Sequence, residues 1–537
     1  MRKSFVVLLL LSSSVTARAE WLEASTDHFV IYGETSERNM RRFAEQLERF
    51  DGAMSTVSGI PRTKPTRSAR VTVYIVGSDQ DLRKLYAQNG ADARNIGGFY
   101  APRLEGPVAF VPRVLAARSG DSDLDFSTIV LLHEYAHHFT LSNSRFTPPR
   151  WLTEGSAEFF ASAGFAADGS VTLGRPANHR APELFRAPDV TVIDLVDQDH
   201  YEKRKGKDRR YDAYYGRAWL LFHYLTFEPA RRGQLAAYVK ALTTGTPSRQ
   251  AAESAFGDLV KLDREIESYM TRRSLQILTI KGSALPTGEI ATRVLRPGEA
   301  AVMPVVMRSK RGAGSEETAR SIVADARAVA ARFPADAAVL AALAEAEHDA
   351  GNDDAAIAAA DAALAIDPAN VNAHLRKGYA LFDKAQRSRD ETAMRDARRA
   401  FVALNRVEND HPVPLYRFYL SHVSSGAEPT ANAIAALEQA AGIAPYAREV
   451  SLALAHRRLV EGRLAEARIA LQPIAFNPHG GPLSAKTREF MRLIDAAAEA
   501  GDTSRLAGQL RSLVSADDGD EAGPGASDGP VKPAGGP

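Results

Sequence analysis

Prolines recur at 334, 368, 412, 445 and 478, at intervals of 34, 44, 33 and 33 residues, through an alanine-rich stretch spanning 317–513. Between them, apolar and small residues fall at helical spacing. A unit this short cannot bury an apolar face by itself, so the pattern predicts pairs of helices that cover one another by stacking. The clearest unit is 337–370. There Leu340, Leu343, Ala344, Ala356 and Ala363 occupy contact positions and Pro368 closes the pair. Residues 372–381 open the next unit, with Gly378 where two helices approach closely. The one long interval predicts an insertion of about ten residues near 384–395. A generic alanine-rich bundle would lack this common phase of prolines and small residues.

The period, with its proline after each second helix, resembles the tetratricopeptide repeat (TPR). That resemblance implies an all-α solenoid over 315–513 with a concave surface able to hold a protein partner. At 537 residues the chain exceeds what one core serves, so roughly two to four domains are expected. From Ser515 onward Gly, Pro and Asp dominate, and residues 514–537 are predicted to be a disordered tail.

The first residues read as an export signal. Arg2 and Lys3 precede a short apolar run over 5–11, and Ala17-Arg18-Ala19 is a small-x-small cleavage site, so residues 1–19 are predicted to be removed. The run is too short to span a bilayer, and no later segment is apolar enough to do so. A periplasmic or secreted location is expected. Removal takes three bases (Arg2, Lys3, Arg18) and no acid, so the formal net charge moves from +1 to −2. Neither value suits a nucleic-acid binder or a polybasic membrane anchor. There is no cysteine, which excludes disulfides, thiolate nucleophiles and thiolate metal ligands. Any metal must be held by histidine and carboxylate.

Residues 20–182 mix strand and helix signals, and 183–275 read as mostly helical, with a strongly apolar helix near 213–226. Phe29-Val30-Ile31-Tyr32 is a short strand closed by Gly33. Met40, Phe43, Leu47 and Phe50 mark a helix over 36–56. Residues 71–76 form the clearest strand, ended by Gly77, and Ser78 or Asp79 can cap the helix after it. Residues 97–100 and 107–111 predict two more strands. Pro107 and Pro112 flank the second, which reads as an edge strand because proline lacks a donor. Ile277, Leu278 and Ile280, then 301–306, predict strands in a β-containing connector over 276–314, with 310–314 as a linker.

The chemistry lies between 133 and 158. His133-Glu134-Tyr135-Ala136-His137 places two imidazoles on one face of a helix, with Glu134 beside them where it can meet a metal-activated water. Apolar residues 129–132 precede the motif and turn-rich residues 142–150 follow it. A second helix, Trp151-Leu152-Thr153-Glu154-Gly155-Ser156-Ala157-Glu158, then offers a carboxylate back to the first. Two imidazoles and a carboxylate suit catalytic zinc, which keeps a fourth position for water. His138 points off the ligand face, and His179, His200 and His223 read as surface or packing residues. Tyr211, Tyr214 and Tyr215, at the start of the apolar helix, are candidate donors to an oxyanion.

These two segments resemble the gluzincin metallopeptidases, especially the thermolysin and aminopeptidase N branches and small bacterial zinc-peptidase-like domains. The resemblance covers roughly residues 20–275 and implies an α+β thermolysin-like zincin domain. It implies that Glu154, before Gly155, is the third zinc ligand beside His133 and His137. It also implies that Glu158 orients a ligand histidine. Sixteen residues separate His137 from Glu154, two or three fewer than in the better-known branches. In the aminopeptidase branch a tyrosine stabilises the oxyanion, with histidine eight and leucine ten residues later. Tyr215, His223 and Leu225 match that phase, but Gly216 departs from it, which leaves Tyr214 and Tyr211 open.

The expected function is an exported zinc peptidase with Glu134 as general base, acting on a peptide or protein substrate laid along the strand over 107–111. The sequence holds no counterpart of the aminopeptidase signature that grips a substrate amino terminus, which favours an endopeptidase. Two alternatives stay open: a catalytically silent repeat scaffold, and a zinc hydrolase of a non-peptide amide such as a cell-wall crosslink.

Overall fold

The structure, a computed structural model, describes residues 20–515 apart from 91, 94–95, 113–123, 144–147, 207–210, 478–480 and 502. The leader over 1–19, Pro478 and the tail beyond 515 lie outside the described residues.

Six strands form the main sheet: β1 (Trp21–Ser25), β2 (Phe29–Glu34), β3 (Val71–Val76), β4 (Phe99–Ala101), β5 (Val108–Pro112) and β9 (Ala291–Val294), in the order β4-β5-β3-β2-β1-β9. β2, β3 and β5 run parallel; β1, β9 and β4 pair antiparallel at the flanks. A second sheet joins β6 (Gly164–Phe165), β7 (Val171–Leu173) and β8 (Leu278–Ile280). Helix α1 (Glu37–Ser58) is capped by Ser36, and α2 (Asp79–Tyr86) by Ser78, whose hydroxyl accepts the Asp81 N–H. Helix α3 (Phe126–Asn143) carries the histidine motif, and α4 (Arg150–Ala161) follows it.

The alternation of side chains along β2, β3 and β5 divides the sheet into two apolar faces. Ile31, Val73 and Val111 pack with Phe50 of α1 and with Leu131 and Tyr135 of α3. On the other face Tyr32, Tyr74, Phe110 and Phe99 stack in a ladder across four strands, with centroids 5.6, 5.1 and 4.7 Å apart. Leu82 of α2 and Met303 cover part of that ladder.

Two expectations are corrected by the structure. The strand over 107–111 is not an edge: β5 pairs with β3 on one side and β4 on the other. Pro107 and Pro112 bound the doubly paired stretch Val108–Phe110 without entering it, and the Pro107 carbonyl still accepts from Thr72 N–H at 2.9 Å. Residues 301–306 are helical, inside Pro297–Arg311. That helix starts with proline at its first turn and with the Arg296 amide donating to the Glu299 carboxylate at 2.8 Å. The strand expected around 277–280 is present as β8, and β8 and β9 complete the two sheets.

From Pro297 onward the described chain is a helical solenoid beside this sheet region. Antiparallel pairs follow one another: Ala337–Asp349 with Asp353–Ile366, Val371–Ser388 with Glu391–Val407, Pro412–Val423 with Ala431–Ile443, and Arg448–Val460 with Leu464–Ala475. The long proline interval comes from longer helices in the 371–407 pair, 18 and 17 residues, and not from a loop. A Cβ at Gly378 would lie 2.6 Å from the Phe401 ring, so this position needs glycine for the pair to close. The β4–β5 loop plugs into the solenoid. Leu104 joins the apolar cluster of Leu375 and Tyr379, and Glu105 pairs with Arg376.

Candidate metal centre

α3 is apolar on nearly every side and sits in the core, so its polar residues are buried with it. Tyr135 anchors its back: the hydroxyl donates to Asp51 of α1 at 2.7 Å. Arg62 bonds both Asp51 and Glu48, which fills the place a cation could take beside His28. α4 is held by Trp151, fully buried, whose indole N–H donates to Tyr238 at 2.9 Å. Helix α4 also packs on the apolar helix Tyr214–Phe227. A Cβ at Gly155 would collide with the Ala218 carbonyl, so glycine beside Glu154 is what lets that backbone approach.

The two helices bring His133, His137 and Glu154 together, all buried. The Nε2 atoms of the histidines lie 3.0 Å apart, and Glu154 Oε2 lies 3.2 Å from His133 Nε2 and 3.4 Å from His137 Nε2. Ligands about 2.0–2.1 Å from a tetrahedral zinc ion stand about 3.3–3.4 Å from one another, so this triangle fits zinc. Glu154 has no exposed surface, and neither carboxylate oxygen makes a hydrogen bond of normal geometry among the described residues. Burial opposes ionisation of Glu154, yet the His137 and His133 rings hold its carboxyl below the usual range. Burial likewise disfavours a charged His133, but Glu158 and Glu154 outweigh it and push the ring up to about 10. The surrounding carboxylates thus favour positive charge in this pocket.

Glu158, one turn beyond Glu154, reaches the far side of His133, with Oε1 3.1 Å from Nδ1. This favours the proton on Nδ1 and leaves the Nε2 lone pair for a metal. Glu158 is held in turn by His179 (Nε2 to Oε2, 2.6 Å) and Arg180 (to Oε1, 2.5 Å). Burial opposes its charge, but Arg180, His179 and His133 keep its carboxyl well below the usual range. Arg180, 1 % exposed, also donates to Tyr211 at 2.6 Å and covers the Tyr215 ring at 4.5 Å. Sequence reasoning missed Arg180 and took His179 for a surface or packing residue. Both sit in a short 3-10 turn, Asn178–Arg180, with no motif, and only the fold brings them to Glu158.

The three tyrosines separate. Tyr211 is bonded to Glu183 and Arg180. Tyr214 stacks under Arg150 at 4.4 Å, its hydroxyl 3.4 Å from Gln198. Among the described contacts, only Tyr215 of the three has its ring near a histidine of the motif, 6.3 Å from His133, between Arg180 and Arg150. His223, despite its phase, is a packing residue: Nε2 meets the Gly174 carbonyl and Nδ1 the Tyr269 hydroxyl, both at 2.9 Å. His138 is off the ligand face as expected. The Tyr100 hydroxyl of β4 lies 2.7 Å from the His138 Nδ1, and the His138 ring stands 5.4 Å from Tyr446 of the solenoid. Glu134, next to His133 in the chain, is 2 % exposed.

No family description matches this chain, and no curated protein matches it either. Among solved structures, a thermophilic TPR protein of Thermus thermophilus aligns with 37% of this chain and 98% of its own, at 18% identity and a TM-score of 0.30.

Proposed function

We propose that this chain is a zinc-dependent peptidase of the gluzincin type, exported by its first 19 residues and carrying tetratricopeptide repeats that hold a protein partner or substrate. One observation carries the reading: two Nε2 atoms from one helix and a carboxylate oxygen from the next stand within 3.4 Å of one another, all three residues are buried, and the first helix also carries Glu134. When bound, zinc supplies Lewis acidity, making a water acidic near neutral pH and polarising the scissile carbonyl.

The protein's own residues do the rest. Glu134 accepts the proton of the attacking water and returns it to the leaving amine. Tyr215 donates its hydroxyl to the developing oxyanion, with its ring fixed between two arginines. Glu158, locked by His179 and Arg180, keeps His133 in its ligand tautomer. With β5 paired on both sides, an extended substrate is assigned to β4, the terminal strand beside α3.

The test is turnover of a casein and peptide library by the zinc-loaded full chain beside Glu134→Gln. The variant is expected to keep zinc and lose about 10²–10⁴ in rate. Equal turnover would remove Glu134 from the mechanism. Bound zinc with no turnover on any substrate would leave a repeat scaffold.

A further inference from the structure

Behind the sheet, on the face opposite α3, a cleft of about 340 Å³ lies between β2, β3 and β5 and the solenoid. Its volume is that of a small-molecule site. Tyr74 stands on its floor and faces away from Val73, which packs towards α3. The walls carry three carboxylates, and each is already engaged. Glu105 and Glu345 both pair with Arg376 and Lys310. Glu408 accepts from the Ser68 amide at 2.9 Å and its hydroxyl at 2.7 Å.

The donors of the same cleft are not matched. Arg67 and Arg70 pair with no carboxylate among the described residues. Arg70 donates only to neutral oxygens, Ser25 Oγ at 2.7 Å and the carbonyls of Thr26 and Arg67 at 3.0 and 3.3 Å. His411 is fully buried, and its Nδ1 accepts the Val413 amide at 3.2 Å, so its proton sits on Nε2. That Nε2–H has no acceptor among the described residues. The Tyr74 hydroxyl lines the cleft without a hydrogen-bond partner among the described residues. A buried donor without a partner, as at His411, is costly, and native proteins leave few such groups.

We infer that this cleft is a binding site for a small molecule bearing an oxyanion, a carboxylate or a phosphate, held by Arg67, Arg70, Tyr74 and His411. Guanidinium pairs suit such groups because their planar forks match two oxygens at once. Arg70 and Tyr74 belong to the sheet region and His411 to the solenoid, so an occupant ties the two together. The inference does not depend on the metal reading.

The test is calorimetric titration of the full chain with inorganic phosphate and, separately, acetate, against chloride at matched ionic strength. Saturable binding of one of them is expected, at least tenfold weaker in Arg67→Gln and in Tyr74→Phe. Binding of phosphate alone assigns a phosphate ligand, and of acetate alone a carboxylate. Absence of saturable binding by both anions, equal competition by chloride, or unchanged binding in the variants would overturn the proposal. An anion captured at the metal centre would be indifferent to both substitutions, which separates the two sites. Arg67 is exposed, so its variant decides the matter should Tyr74→Phe fail to fold.

Discussion

Oε1 of Glu158 lies 3.1 Å from Nδ1 of His133, across the ring from Glu154. A ligand histidine oriented by a carboxylate in this way binds metal more tightly, and loss of such a partner typically costs about 10–100-fold in affinity. Glu158→Gln is therefore expected to weaken zinc binding about 10–100-fold, read by competition with a chelator of known affinity. Arg180→Met should do the same and also lower stability by about 3–5 kcal/mol, because it leaves Glu158 buried with less compensation. Wild-type zinc affinity in both variants would reduce this network to packing.

Tyr215→Phe keeps the ring between Arg180 and Arg150 and removes only the hydroxyl. Loss of one oxyanion donor costs about 10²–10³ in kcat. The variant is expected to lose that much in kcat with KM and zinc content unchanged. A similar loss in Tyr214→Phe, with Tyr215→Phe active, would move the role to the neighbour.

The motif was legible because it is local. Spacing i to i+4 determines which side chains share a helix face, and the second helix announces itself by Trp151 and Gly155, which bury and pack it. The same logic found Gly378 and the helical pairs. What escaped reading depends on neighbours far away in sequence. Val302, Val305 and Val306 favour a strand locally, but Pro297 and the Arg296–Glu299 cap start a helix, and packing against Ala337–Asp349 keeps it. Flanking prolines suggest an edge, yet β5 is sandwiched because both fall outside its doubly paired residues. Arg180 lies 22 residues from Glu158 and nothing in its own surroundings marks it.

His223 gives a pH dependence with a definite sign. Burial drives its pKa down to about 4, against about 6.5 in an unfolded chain. Between those values the unfolded chain binds a proton that the folded one refuses, so stability is full above about pH 6.5 and falls as pH drops towards 4. The slope from this group is at most about 1.4 kcal/mol per pH unit. Urea unfolding from pH 7 to 4 is expected to show a shallower decline in His223→Gln, whatever its stability at pH 7. An unchanged slope would assign the acid sensitivity elsewhere.

The central claim is that His133, His137 and Glu154 hold one divalent ion. It is tested most directly by X-ray absorption at the zinc edge on the purified full chain, with metal content measured beside Glu154→Ala and His137→Ala. One zinc per chain with two imidazoles and one carboxylate oxygen in its coordination shell is expected, and its loss in both variants. A chain that takes up no zinc from buffered solution, or that binds it equally well in the two variants, would contradict the account.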